Sequence, residues 1–299
     1  MLFQENIAGW QDWARIFQSR KAFTPLAQEI FRREGLPFAP LSGLTPGTKG
    51  VFRSGPYVVK IFFPAEAGPD PRPDYENEAA VCGRLAQWGV PMPQLLAQGE
   101  IQDKYIFYYL ISQYFPGEEA GPWLERATPN QLAGFACELK GMLRQLNRPA
   151  PGLIPPVDLV GRAVGNPRLK ALPPSLREEV RARARSMDLG APVLVHGDLT
   201  GENLLVGQDG HLVLIDCADA CLAPDWYELA PIVFELFQCR GDLLRLLARD
   251  SQEGFVEQVL DAVCLHDFGA HMLRDAPLRE GLPPFDSLAQ ARAFLLGRL

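Results

Sequence analysis

The stretch from Val195 to Asp216, VHGDLTGENLLVGQDGHLVLID, constrains the fold of this chain more than any other part of its sequence. Three short apolar runs border a polar loop and a Gln-Asp-Gly turn signal. The runs are residues 193–195, 204–206 and 212–215. This alternation predicts a strand, a polar loop and then a β-hairpin. Such a scaffold would present Asp198 and Asn203 from one loop and Asp216 from the end of a neighbouring strand, so that three oxygen-bearing side chains converge.

The spacing of these three side chains matches a phosphotransfer signature. Asn203 follows Asp198 by five positions, and Asp216 follows it by eighteen. In the H-R-D-x-x-x-x-N loop of protein kinases, the Asp accepts the proton of a substrate hydroxyl, and the Asn and a later strand-end Asp bind magnesium. Mg²⁺ prefers such hard oxygen ligands, with few of them from protein. In the alternative interpretation, the loop is a plain turn and the acids are surface groups.

The loop itself reads HGDLTGEN, with glycine in place of the protein-kinase arginine. This form resembles the aminoglycoside phosphotransferase family of the protein-kinase-like superfamily, whose members phosphorylate hydroxyls of aminoglycosides, choline and other small molecules. The resemblance implies that Asp198 is the catalytic residue and that Asn203 and Asp216 bind the metal. The resemblance does not identify the small molecule that accepts the phosphate.

A nucleotide-binding segment is expected upstream of such a loop. Val58–Phe63 (VVKIFF) is a β-branched and aromatic run around a single lysine, and it is similar to the V-A-I-K strand whose lysine holds the α and β phosphates. Residues 75–85 predict a helix, and they resemble the E-x-x-x-φ-x-x-L segment of the family. The resemblance implies that Glu78 is the ion-pair partner of Lys60, with Glu76 as the alternative. The pair matters because a flexible ammonium group needs a fixed carboxylate to aim it at phosphate oxygens.

The segment 44–53 provides candidates for a phosphate-covering loop. Its glycines would let backbone amides approach phosphate without a Cβ clash. The candidates are Gly47 and Gly50, together with Thr48 between them. The segment lacks both the spacing and the terminal hydroxyl of a Walker A motif.

The aromatic strand predicted at 105–112 runs into QYFPG, residues 113–117, which resembles the hinge of the family. The resemblance implies that the carbonyl of Gln113 and the amide of Phe115 meet the edge of the base. Because backbone groups would read the base, ATP is expected and GTP is possible.

The order of these segments predicts an α+β, protein-kinase-like fold of two lobes. Residues 1–112 would form a small N-terminal nucleotide-binding lobe with an antiparallel sheet and one key helix. Residues 113–117 would form the hinge, and residues 118–299 a larger, mainly helical lobe for catalysis and substrate binding. In that lobe, Pro224–Ala230 resembles the D-P-x-x-D-L-A helix start that braces the catalytic loop in the family, with Glu228 in place of Asp.

Composition narrows the partners and the compartment. The net charge of −7 and the lack of a basic stripe argue against nucleic acid, and no apolar run is long enough to span a membrane. The beginning of the chain does not resemble a secretion signal, and six scattered cysteines suit a reducing cytoplasm.

His266 and His271 miss the i, i+4 spacing of helical metal ligands, and they are expected to be structural or surface residues. The oligomeric state stays open.

Taken together, these patterns predict an ATP- and Mg²⁺-dependent kinase that transfers the γ-phosphate to a hydroxyl of a small molecule, aminoglycoside-like or choline- or sugar-like. Asp216 is followed by Cys-Ala, not by the Phe-Gly of protein kinases, and no activation loop ending in A-P-E is visible. These departures disfavour a protein kinase. A catalytically silent, nucleotide-binding protein of the same fold is the other alternative.

Overall fold

The structure, a computed structural model, describes residues 1–45, 47–248 and 251–299 of the chain. The chain forms two compact units, Met1–Pro116 and Gly117–Leu299. The boundary between them falls inside segment 113–117, to which the sequence assigns the hinge. Pro46, in the predicted phosphate-covering segment, lies outside the described residues.

The N-terminal unit is built on a five-stranded antiparallel sheet with the strand order β1-β2-β3-β5-β4. The strands are β1 Ser42–Gly43, β2 Gly50–Ser54, β3 Tyr57–Ile61, β4 Leu95–Gln102 and β5 Ile106–Gln113. The β-branched residues Val59 and Ile61 of β3 are fully buried. Lys60 lies between them, opposite Val51 on one neighbouring strand and Leu110 on the other. The lysine is therefore held near the middle of the sheet.

The described residues of this unit also form the α-helices α1 Trp10–Ile16, α2 Arg20–Arg33 and α3 Arg72–Gln87. The helix predicted over 75–85 corresponds to α3. The key helix of the predicted lobe is α3, which carries Glu78, and α1 and α2 precede the sheet in addition. Their apolar residues recur at helical spacing and join the buried cluster of the sheet. These residues are Trp13, Phe23, Leu26, Ala27, Ile30 and Phe31.

The C-terminal unit is mainly helical. Its α-helices are α4 Ala120–Arg126, α5 Pro129–Leu146, α6 Leu159–Gly165, α7 Pro174–Ser186, α8 Leu229–Pro231, α9 Gly241–Leu247, α10 Gln252–Leu265, α11 Gly269–Leu278 and α12 Leu288–Leu296. A 3₁₀ turn over Asp225–Glu228 leads into α8, and a π-helical segment, Ile232–Leu236, follows it. None of the described helices is long and apolar enough to cross a membrane.

Two small antiparallel sheets carry the signature stretch. The strands are β6 Glu118–Glu119, β7 Val193–Val195, β8 Leu204–Val206, β9 Leu212–Leu214 and β10 Cys221–Ala223. Strand β7 pairs with β10, whereas β8 pairs with β6 and β9. The predicted strand, loop and hairpin are all present. The hairpin is closed by the N–H of Gly207 donating to the carbonyl of His211 at 2.8 Å, and Gly210 provides the positive φ of 85° that the turn needs.

Candidate functional site

The loop that follows β7 is closed by the side chain of Asn203. Its Nδ2 donates to Oδ2 of Asp198 at 2.7 Å and to the Asp198 carbonyl oxygen at 3.0 Å. The carbonyl of Asn203 accepts the N–H of Ile215 at 3.0 Å, one residue before Asp216. The structure therefore brings Asp198 and Asn203 into contact and ties their loop to the strand end that carries Asp216.

Buried side chains from later in the chain hold the backbone of residues 196–198. The carboxylate of Glu228 accepts the N–H groups of both His196 and Gly197, the second at 3.3 Å. The Nε2 atom of His266 lies 2.7 Å from the carbonyl oxygen of Gly197. The side chains of Glu228 and His266 are almost fully buried, and so is the side chain of His196 in the loop itself. The position of the loop is thus set by residues that are distant in sequence.

Gly197 is the one position of the HGD motif where only glycine fits. Its φ is 79°, in the left-handed region. A Cβ atom built there would lie 2.3 Å from the carbonyl oxygen of Asp219, far inside van der Waals contact. The tight approach of these two backbone segments explains why glycine stands where protein kinases have arginine.

The electrostatics of the loop favour a proton acceptor. Burial, followed by the negative charges of Asp219 and Asp216, raises the pKa of Asp198 to about 7, and the hydrogen bond from Asn203 opposes the rise. A carboxylate with a pKa near neutrality is a better general base than an ordinary aspartate. Burial also raises the pKa of Glu228 to about 7, against the two backbone N–H groups that favour its ionised form.

Asp216 has a φ of 58°, an αL conformation that few non-glycine residues adopt. Its Oδ1 atom accepts the N–H of Ala218 at 3.3 Å. Strained backbone of this kind clusters at functional sites. The strain at Asp216 therefore marks the strand end as a candidate metal-binding position.

The side chains near Asp198 fit a magnesium ion. Because the amide nitrogen of Asn203 is bound to Asp198, Oδ1 remains as its hard oxygen donor, and Asp216 adds a carboxylate. No cluster of three or more His, Cys, Asp or Glu side chains suited to a metal occurs among the described residues. A site with one or two carboxylates, completed by phosphate and water oxygens, is what Mg²⁺ accepts. Asn203 and Asp216 thus suit magnesium better than a metal that needs a full set of protein ligands.

In the N-terminal unit, Lys60 and Glu78 form a buried ion pair. Nζ of Lys60 lies 2.5 Å from Oε1 of Glu78, and the two side chains are 12% and 4% exposed. Glu76, the alternative partner, is exposed. Because desolvating two charges is costly, the main effect of such a pair is to fix the ammonium group in place. The strand lysine and the helix glutamate are brought together as the sequence predicts.

The candidate phosphate-covering residues connect β1 to β2, with Gly47 and Thr48 exposed and Gly50 at the start of β2. The indole Nε1–H of Trp13 donates to the carbonyl of Thr48 at 2.7 Å. A Cβ atom at Gly50 would lie 3.1 Å from the carbonyl oxygen of Phe17, the C-cap of α1. Helix α1 is therefore hydrogen-bonded to this segment at Thr48, and its C-cap leaves little room for a side chain at Gly50.

The candidate base-reading residues lie at the end of the sheet. The N–H of Gln113 donates to the carbonyl of Gln94 at 3.0 Å, and the N–H of Tyr114 donates to Pro56 at 2.8 Å. Phe115 follows, half-buried. The guanidinium of Arg53 stacks 3.8 Å from the centroid of the Tyr114 ring. The backbone of Gln113 and Tyr114 is thereby anchored to Gln94 and Pro56, which flank strands of the sheet.

Solved structures with a similar fold include aminoglycoside phosphotransferases and a choline kinase. The chain is similar to a GDP complex of wild-type aminoglycoside 2'-phosphotransferase-IIIa, with a TM-score of 0.63 and 16% identity over 94% of this chain and 98% of the other. It is similar to a thermostable mutant of aminoglycoside phosphotransferase APH(4)-Ia in a ternary complex with ADP and hygromycin B. That match has a TM-score of 0.57 and 16% identity, covering 91% and 95% of the two chains.

Choline kinase LicA from Streptococcus pneumoniae is also similar, with a TM-score of 0.56 and 14% identity over 91% of this chain and 99% of the other. At such low identities these likenesses establish the fold, which is the predicted α+β, protein-kinase-like class. No curated protein matches the sequence.

The protein-kinase-like fold and the HGD loop define the general class. The model of the phosphotransferase enzyme family APH matches residues 48–276, which is well over half of the chain. The chain belongs to this family. The enzyme class expected from the sequence, a phosphotransferase acting on a hydroxyl group, is confirmed by this membership.

Sequence reasoning missed two residues that contact the predicted site residues. Trp13 lies in a segment for which the sequence predicts no helix, although its apolar spacing was a usable signal. His266 was expected to be structural or a surface residue, and it is buried against Gly197. Glu228 was found only through the family resemblance, because an isolated glutamate before an apolar helix has no distinguishing pattern.

Proposed function

We propose that the protein is an ATP- and Mg²⁺-dependent kinase that transfers the γ-phosphate to a hydroxyl of a small molecule, aminoglycoside-like or choline- or sugar-like. GTP is the alternative nucleotide. The observation that carries the proposal is the contact of Asn203 Nδ2 with Asp198 Oδ2, at 2.7 Å, on a loop whose backbone is held by buried groups. A surface turn with ordinary acids would need neither the contact nor the burial.

In this proposal Asp198 orients the acceptor hydroxyl and takes its proton as the oxygen attacks the γ-phosphorus, while the bond to the β-phosphate breaks and nucleoside diphosphate leaves. The hydrogen bond from Asn203 leaves Oδ1 of Asp198 as the oxygen that receives the proton, because Oδ2 is already engaged. The raised pKa of Asp198 makes the transfer easier than it would be to an ordinary aspartate. Positioning and charge stabilisation supply most of the rate in such reactions.

Asn203 and Asp216 would hold the magnesium ion, which when bound neutralises the charge on the phosphate oxygens. Lys60, aimed by Glu78, would hold the α and β phosphates. Gly47, Thr48 and Gly50 would cover the phosphates with backbone amides, and Gln113 and Phe115 would contact the base through their backbone. The family match and the nucleotide complexes of similar structures support these assignments.

The compartment is part of the proposal. All six cysteines lie among the described residues and are thiols, not disulfides. Six free thiols, one of them exposed, support a reducing compartment such as the cytoplasm.

A screen for acceptor-dependent nucleotide consumption tests the proposal. The purified protein is incubated with Mg²⁺ and either ATP or GTP, and then with aminoglycosides, choline, sugars and amino-alcohols in turn. We expect at least one compound to raise nucleoside diphosphate release and to gain a phosphate by mass spectrometry.

Two outcomes would contradict the proposal. Nucleotide that binds but is not consumed with any acceptor favours the catalytically silent alternative. Label that appears on polypeptides alone, with every small molecule untouched, favours a protein kinase.

A further inference from the structure

We propose that His266 is a positioning residue for Asp198, because it fixes the peptide unit that joins Gly197 to Asp198. The inference rests on the proposed function of Asp198. His266 caps the C-terminal end of α10 and is almost fully buried. Its Nε2 atom lies 2.7 Å from the carbonyl oxygen of Gly197, 69 positions away in the chain.

The two ring nitrogens of His266 have opposite roles. A carbonyl oxygen can only accept, so Nε2 carries the proton that is donated to Gly197. Nδ1 accepts the N–H of Phe268 at 3.1 Å. The ring is therefore held as the neutral Nε2–H tautomer. Burial supports this state, because it lowers the pKa of His266 to about 4.

His196 repeats this arrangement at the other end of the same peptide unit. The N–H of Asp198 donates to Nδ1 of His196 at 3.2 Å, while Nε2 of His196 lies 3.0 Å from the carbonyl of Ile215 and donates to it. The peptide unit between Gly197 and Asp198 is thus hydrogen-bonded through its carbonyl by one buried imidazole and through its N–H by another. Such a unit cannot rotate without breaking a buried hydrogen bond, and its plane determines where the Asp198 side chain leaves the backbone.

The ring of His266 has little freedom to move. It packs on the ring of Tyr227, with centroids 4.9 Å apart, and Tyr227 directly precedes Glu228. Glu228 accepts the N–H of Gly197, so the same residue is held through both its N–H and its carbonyl. Removing the His266 donor leaves the carbonyl of Gly197 without this restraint. The direct consequence is a less well-placed Asp198 carboxylate.

The expected effect is a loss of rate without a loss of nucleotide binding. A misplacement of about 1 Å in a catalytic group costs on the order of 100-fold in rate. We expect kcat to fall by about 10- to 100-fold, while the KM for nucleotide stays within about twofold, since Lys60 and Glu78 are untouched. A purely structural role for His266 would lower the amount of folded protein instead and would not separate kcat from KM.

Two polar variants test the hydrogen bond that His266 donates to the carbonyl of Gly197. H266Q places an amide N–H near the position of Nε2, whereas H266N reaches only the position of Nδ1 and loses the bond to Gly197. We expect H266N to lose kcat and H266Q to recover most of it, at matched folded concentration. If H266N does not fold, H266F takes its place, because the phenyl ring keeps the contact with Tyr227 and lacks both nitrogens. H271Q, on the neighbouring helix, is the control and should keep the rate of the unmodified protein.

A second measurement does not depend on knowing the acceptor. With ¹³C-labelled aspartate and ¹⁵N-labelled histidine, NMR should show the Nε2–H tautomer of His266 at neutral pH. It should also show a shift of the Asp198 carboxyl signal in H266N that is reversed in H266Q. An unperturbed Asp198 signal in H266N, or equal losses of kcat in H266N and H266Q, would overturn the inference. If the unmodified protein transfers no phosphate to any acceptor, the proposed function fails, and the NMR result still decides the coupling.

Discussion

Replacing Gly197 by alanine tests whether the HGD loop needs the backbone that the structure gives it. The residue has φ of 79°, and its new Cβ atom would lie 2.3 Å from the carbonyl oxygen of Asp219. The positive φ alone costs about 1–2 kcal/mol for a residue with a side chain. Relief of the contact also requires one of the two backbones to move by about 1 Å, and a shift of that size in a catalytic group costs on the order of 100-fold in rate.

Gly210 offers a matched control in the same unit. Its φ is 85°, close to that of Gly197, but a Cβ atom there meets nothing within 4 Å. G210A should therefore lose only the 1–2 kcal/mol or so of the backbone conformation and keep its kcat. G197A should lose at least about 1 kcal/mol more than G210A and about 100-fold in kcat.

The assay pairs urea denaturation, read by tryptophan fluorescence, with steady-state kinetics on an acceptor identified by the screen. Both variants are compared with the unmodified protein at the same temperature and salt concentration. Equal unfolding free energies for G197A and G210A, together with an unchanged kcat in G197A, would refute the close approach of Gly197 and Asp219.

Three further predictions concern separate parts of the chain. E78Q should raise the KM for nucleotide about 10-fold with a smaller effect on kcat, measured by initial rates, because Lys60 loses the carboxylate 2.5 Å away; an unchanged KM would count against the clamp. W13F keeps the buried ring but loses the bond to Thr48, so it should weaken nucleotide binding a few-fold by calorimetry, whereas W10F, at an exposed position, should not. For His266 the folded pKa of about 4 lies below the ordinary 6.5, so the unfolded chain takes up the proton first as pH falls. Its neutral ring therefore contributes stability above pH 6.5 that is lost between about pH 6.5 and 4, and from pH 7 to 5 the unmodified protein should lose about 2 kcal/mol more than H266Q in denaturant titrations. Equal losses of unfolding free energy in the two proteins would contradict the buried, neutral state of His266. The charges of Asp267, Arg162 and Arg168 also act on the pKa of this ring.

The parts of the fold that local pattern determines were predictable. The apolar runs and the Gln-Asp-Gly turn predicted the strand, loop and hairpin around Asp198, because alternating short runs and turn residues act locally. The lysine strand and the helix carrying Glu78 were placed within a few residues of β3 and α3. The spacing of Lys60 and Glu78 does not by itself predict that their side chains pair. Only the family resemblance predicted this ion pair.

Contacts between distant segments were not predictable. The sequence did not predict helices α1 and α2, although Trp13 and Phe23 are buried. A proline, Pro25, lies inside α2, and proline within a helical pattern argues against a helix. The bond from His266 to Gly197 spans 69 positions and depends on how α10 packs, which no local pattern encodes. The roles of the site residues stay predictions until the acceptor is known, since acceptor choice depends on side chains that one sequence does not mark.

The most direct measurement of the central claim is phosphoryl transfer by D198N on the acceptor that the screen identifies. Asparagine keeps the size of the side chain and can still contact Asn203, but it cannot take the proton of a hydroxyl. We expect kcat to fall by at least about 100-fold with nucleotide affinity unchanged, while D209N, at the exposed hairpin turn, keeps full activity. Full activity in D198N would contradict the claim that Asp198 is the catalytic base of this phosphotransferase.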